Sequence, residues 1–165
     1  MIPILILILG IASRLLPHLS NFTPVLAIAF FGGVYLSQRW SLVLPILLMM
    51  VTDLIIGTYS GMMFNWIAIG LCAVFGWQLQ KNKGVKNVLM FSFLSALVYF
   101  TVSNFGVWLV GGLYSLDAKG FVNCYVMALP FFRNTLISTV VYSVILVLGY
   151  EYASVKFKVQ SVKSV

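Results

Sequence analysis

Long apolar runs follow one another along almost the whole chain, leaving little polar surface from which a water-soluble fold could be built. The runs are Met1 to Leu16, Pro24 to Leu36, Trp40 to Ile56, Met62 to Leu79, Val85 to Gly112 and Pro130 to Tyr152. A helix crossing a bilayer needs about 20 mostly apolar residues, and shorter ones are tolerated. Charged residues make up 8% of the chain and hydrophobic ones 62%, against about a quarter and about a half in soluble domains. Such a chain takes lipid as its solvent, and in lipid a helix satisfies its backbone hydrogen bonds within one segment. The expected fold is an all-α membrane protein, a bundle of about six transmembrane helices. Residues 1–155 form a single domain, followed by a short basic cytoplasmic tail at 156–165. Between the fifth and sixth runs, Phe121 to Leu129 reads as a short interfacial helix. Pro130 then suits the first turn of the last helix, where its missing N–H is no loss. The first run has the length of a signal peptide. No basic stretch precedes it and no small-residue cleavage site comes before Arg14, so it reads as a retained helix.

The net charge of +7 points to membrane topology rather than to nucleic acid, because the basic residues sit between the apolar runs. With six spans, the termini and the second and fourth loops share one side. That side carries Arg39, Lys81, Lys83, Lys86, Lys156, Lys158 and Lys163, whereas the other has Lys119 and Arg133, with Arg14 near it. The bias places both termini in the cytoplasm, in a bacterial inner membrane.

Orientation gathers the polar residues at one depth. Arg14, Asp53, Asn65, Asn104, Trp108, Arg133 and Asn134 all fall toward the outside, together with the loop holding His18 and Asn21. The cytoplasmic halves of the helices read as almost free of polar groups. Ionisable side chains inside a bilayer are expensive and usually face a bundle interior or a watery cavity. The expectation is an outward-opening pocket for a small solute, bounded by Arg14, His18, Asn21, Asp53, Asn104, Trp108, Arg133 and Asn134. Two arginines against one aspartate give a local excess of one positive charge, which favours an anionic or zwitterionic solute held by guanidinium groups. A plainer reading stands beside it. Asp53 can pair with Arg14 or Arg133 simply to hold helices together, as in a structural or assembly subunit. Thr135, Ser138 and Tyr142 form a stripe that reads as helix packing, and Ala29 and Gly33, one turn apart, read as a close helix contact.

Enzyme chemistry finds little to work with. One intramembrane aspartate cannot make an aspartyl dyad, and the single histidine, His18, has no serine motif beside it. Cys72 and Cys124 form neither a disulfide framework nor a zinc spacing. No P-loop or dinucleotide fingerprint is present, so no cofactor is expected. The expected partners are the bilayer and a small solute, with no nucleic acid.

The stretch from Arg14 through Pro17, His18 and Asn21 to Pro24, then Ala29-Phe-Phe-Gly-Gly33, Thr52-Asp53, Asn104-Phe-Gly-Val-Trp108 and Pro130-Phe-Phe-Arg-Asn-Thr-Leu136 resemble a bacterial membrane-protein family of unassigned function, described only as transport proteins. That family in turn resembles the substrate-binding S components of energy-coupling factor (ECF) transporters. The resemblance implies six helices, both termini inside, a site near the outer face, and an ATP-driven energising module as partner. One feature departs from it. S components commonly dock through alanines spaced four apart on helix 1, and helix 1 here offers Gly10, Ala12 and Ser13 instead.

Overall fold

A computed structural model describes the backbone of residues 2–15 and 21–163 and the side chains of residues 8–15 and 21–155. The described residues form six helices and no strand: α1 (Ile2–Leu15), α2 (Val25–Tyr35), α3 (Gln38–Ile56), α4 (Met62–Leu79), α5 (Val85–Val110) and α6 (Ala118–Lys163). The last four are long and apolar enough to cross a membrane. The chain is therefore an all-helical protein with the make-up of a multi-pass membrane protein.

The short helix α2 organises the bundle. Its 11 residues extend about 16 Å, and Val25 through Val34 are all buried. A helix apolar on every side belongs in the middle of other helices. α2 meets α4 most extensively, then α3 and α6. Lipid tails are as apolar as leucine, so helices in a membrane associate through close packing, for which small residues are suited. The α2–α4 contact does this at Gly33 and Gly76. A Cβ added at Gly33 would collide with the Ala73 carbonyl oxygen, and one at Gly76 would collide with that of Phe30. The close contact read from Ala29 and Gly33 is thus present at Gly33, against α4.

α5 and α6 run antiparallel. Cys124 Sγ meets the Asn104 carbonyl, Phe121 packs edge-on against Trp108, and Lys83 pairs with Glu151 at the far end. The expected break at Pro130 is absent. Pro130 lies inside α6, and no separate helix covers Phe121 to Leu129. A proline within a membrane helix is tolerated where neighbouring groups and local adjustment satisfy the freed carbonyl. The helix also continues through the basic tail to Lys163.

The start of α6 is set by Asp117. Its Oδ1 accepts the Gly120 N–H at 2.6 Å and the Ser115 hydroxyl at 2.9 Å, which serves the orphan N–H groups of a helix N-terminus. These donations, Gly120 first, hold its carboxyl below the usual carboxylate range. A depressed carboxylate pKa supports order above the normal range and loses that support as pH falls through the folded value. Asp117→Ala is expected to speed amide exchange in the first turn of α6 at neutral pH. Acidifying the wild type through that lowered value should reduce the protection of the same amides, measured against the intrinsic exchange rate at each pH. Exchange unchanged by either would show that the cap contributes nothing.

Candidate functional site

The polar residues gather where α1 and α3 end and α4 begins. Arg14, in the last turn of α1, donates through Nη2 to Asp53 Oδ1 at 2.8 Å and through Nη1 to Thr52 Oγ1 and Met49 Sδ, each at 2.7 Å. Asp53 is 1% exposed, and its other oxygen accepts the Trp66 indole N–H at 2.8 Å. Thr52 and Asp53 are adjacent on α3, so one guanidinium fork reaches both. Burying a carboxylate is tolerable when it is paired and its remaining lone pairs are used. Here both conditions hold, and Arg14 is the arginine that pairs.

Trp66→Phe would keep the ring and remove the indole donor, leaving Asp53 Oδ2 without its partner. The expected cost is about 1–3 kcal/mol, the usual penalty for a buried group left unsatisfied. It is measurable as a lower melting temperature in detergent. A Trp66→Phe protein as stable as the wild type would show that water takes over the bond.

Two cavities among the described residues share a wall at this end, and Arg14 lines the first. The first, about 130 Å³, is lined by Arg14, Asn21, Thr23, Val25, Leu26, Met49, Ile69, Tyr99, Thr135 and Ser138. The second, about 170 Å³, is lined by Asn65, Phe100, Ser103, Asn104, Val107, Ala128, Phe131 and Phe132, and shares Asn21, Tyr99 and Thr135 with the first. Asn21 has φ 60, a left-handed conformation that asparagine adopts more readily than most residues. Tyr99 borders both spaces.

The residues read from the sequence divide accordingly. Arg14 and Asn21 line the first cavity, and Asn21 and Asn104 line the second. Asp53 lies behind Arg14 and is not among the lining residues. Trp108 serves the α5–α6 turn instead, its indole donating to the Ser115 carbonyl at 3.0 Å. Arg133 is exposed and lines neither cavity, while Asn134 is half-buried on the next position of α6. His18 lies outside the described residues. With Arg133 on another face and Arg14 matched by Asp53, the expected positive excess is not concentrated at the cavities. Residues on either side of 16–20 line the first cavity: Arg14, Asn21 and Thr23.

Sequence reasoning passed over Tyr99, and it assigned Thr135 and Ser138 to packing. Both hydroxyls bond to their own helix, Thr135 to Phe131 O and Ser138 to Thr135 O, and both still face the first cavity. The opposite end of the bundle is also more polar than expected. Tyr35 and Lys83 both donate to Glu151 Oε1, at 2.7 and 2.8 Å. Gln80 donates to the Gly33 carbonyl and Trp77 to Ser41, each at 2.8 Å.

The chain belongs to a family of unknown function, DUF6580, whose model matches residues 1–162. No curated protein matches it, and no solved structure does.

Proposed function

We propose that this protein is a non-enzymatic integral-membrane subunit that binds a small zwitterionic or singly anionic solute for uptake. The observation that carries the reading is two cavities sharing a wall, the first lined by Arg14 of the buried Arg14–Asp53 pair. A bundle that used its polar groups only to join helices would have no need of voids there. Each cavity is smaller than the roughly 300–1,000 Å³ of drug-sized pockets, which suits a metabolite-sized solute. In this reading the Arg14 end faces outward and both termini are cytoplasmic, supported by the basic residues at the Lys83 end. Energy comes from a partner, an ATP-driven module as the ECF resemblance implies, or from an ion gradient.

A second reading, a structural subunit of a membrane complex, is favoured by one observation. Asp53 is spent on Arg14 and Trp66. A cavity-filling variant separates the two. Thr135→Leu would occupy space in both cavities while leaving the ion pair intact. A panel of amino acids, betaines and monocarboxylates is added to the purified protein in nanodiscs. At least one should raise the melting temperature of the wild type, a ligand at 100 times its Kd contributing about 2.7 kcal/mol. Thr135→Leu should fold and lose that response. A response retained in Thr135→Leu, or none from the wild type with any compound, favours the structural subunit.

A further inference from the structure

The two cavities share one partition but differ in chemistry. Beyond the shared Asn21, Tyr99 and Thr135, the first presents Arg14 with the hydroxyls of Thr23 and Ser138. The second presents an aromatic wall of Phe100, Phe131 and Phe132, with Asn65 and Asn104 at its edge. The rings of Phe100 and Phe132 pack against each other, centroids 4.5 Å apart and planes tilted by 36°, so what they leave to the cavity is ring edges and outer faces, an aromatic surface. Such a surface accepts another flat ring by offset stacking or edge contact.

The unspent hydrogen-bonding groups point the same way. Arg14 uses three N–H groups on Met49, Thr52 and Asp53. A guanidinium has five, so two remain without a partner among the described residues, beside the first cavity. Asn65 gives one amide N–H to the Tyr59 oxygen, and Asn104 gives one of its own to the Phe100 carbonyl. Both side-chain carbonyl oxygens are left as acceptors with no partner among the described residues. The first cavity thus offers guanidinium donors, and the second offers amide groups, each with an acceptor oxygen and one further N–H, beside aromatic rings. Tyr99, whose hydroxyl can both donate and accept, stands at the join.

The geometry points to a single two-part site for a nitrogen heterocycle that carries one acceptor end, such as a carboxylate. This rests on the uptake reading above and deepens it. The acceptor end meets Arg14. The ring lies against Phe100 and Phe132 and donates its N–H to Asn65 or Asn104. A doubly charged phosphate is disfavoured relative to a carboxylate, because Asp53 already neutralises Arg14 and each further negative charge adds its own cost at membrane depth, partly met by the remaining guanidinium N–H groups.

The test uses the wild type and Phe132→Leu in nanodiscs with four probes: indole-3-acetate, imidazole-4-acetate, 1-methylindole-3-acetate and hexanoate. Binding is read by calorimetry. At least one of the two N–H heterocycles should bind tenfold or more tighter than hexanoate. N-methylation should weaken the indole probe tenfold or more if indole is the ring accepted. Phe132→Leu should weaken the bound heterocycle about tenfold while leaving hexanoate within twofold. The comparison of the heterocycles with hexanoate, and of indole-3-acetate with its methylated form where indole binds, needs no variant; a bound indole probe that N-methylation leaves unchanged would overturn the N–H contact even if Phe132→Leu folds poorly. Hexanoate binding as tightly as both heterocycles, with Thr135→Leu abolishing all binding, would overturn the two-part site and leave the uptake reading standing. No binding of any probe, together with no response to the broader amino-acid and betaine panel, would overturn both.

Discussion

Arg14→Gln should lose about 3–5 kcal/mol of stability, the cost of leaving a buried carboxylate without its cation. Asp53 has a side chain 2% exposed and Arg14 one 17% exposed, so solvent cannot substitute for the lost partner. The Trp66 indole remains as one donor, which offsets only part of the loss. Asp53→Asn should cost less, because the stranded guanidinium borders a cavity that can hold water. The double variant Arg14→Gln with Asp53→Asn should recover much of the single loss, since no orphan charge remains. The two changes are then strongly non-additive, as expected for residues in direct contact. Melting curves of the four proteins in one detergent give the cycle. Additive losses would mean that the pair does not stabilise the bundle through its mutual interaction.

Gly33→Ala should be nearly as damaging, although it adds a single methyl group. The new Cβ meets the Ala73 carbonyl oxygen and would lie 2.9 Å from the Gly76 Cα. Both are backbone atoms, so relief requires moving α2 away from α4, and α2 is the helix around which the others pack. Overpacking typically costs about 1–3 kcal/mol where side chains can yield, and here they cannot. A loss of about 3 kcal/mol or more is expected, with the Gln80 bond to the Gly33 carbonyl broken as well. Gly32→Ala is the control one residue away. Its nearest neighbour would be a Leu36 methyl at 3.6 Å, an ordinary contact, and it should cost nothing measurable. Size-exclusion profiles and melting temperatures of the two variants decide. Equal behaviour of Gly32→Ala and Gly33→Ala would refute the close α2–α4 approach.

Position along the helix axes was legible in the sequence, whereas direction around each helix was not. Apolar runs end where charges begin, so the bounds of α3 and α4 and the level of Arg14, Asp53 and Asn104 follow from simple counting. Which way a residue points depends on how a helix is rotated in the bundle. Arg133 and Thr135 are two residues apart on α6, and at 3.6 residues per turn they point about 200° apart. Thr135 borders both cavities and Arg133 does not. A run that is apolar on all sides gives no moment from which to infer that rotation, as in α2. Pro130 misled for a related reason. Its preference for a first turn is a local property, and tertiary surroundings allow it inside a longer helix. The Arg14–Asp53 contact was one of two pairings the charges permitted, and only the packing of α1 on α3 selects it. Tyr99 carried no signal at all, because a tyrosine in an apolar helix looks like any other packing residue.

A solute site at this end requires the space lined by Arg14, Tyr99 and Thr135 to be open to water and to a solute. Thr135→Cys, in a chain whose Cys72 and Cys124 are replaced by serine or alanine, puts one thiol on the shared wall of both cavities. The protein in nanodiscs is exposed to a charged, membrane-impermeant methanethiosulfonate, with Ile145→Cys, on an exposed apolar position of the same helix, as the lipid-facing control. Mass spectrometry reads the modification. The expected result is rapid labelling at position 135, slowed by whichever probe binds, and little labelling at 145. A thiol at 135 that stays unmodified while the protein remains folded would contradict a solute site at this end of the bundle.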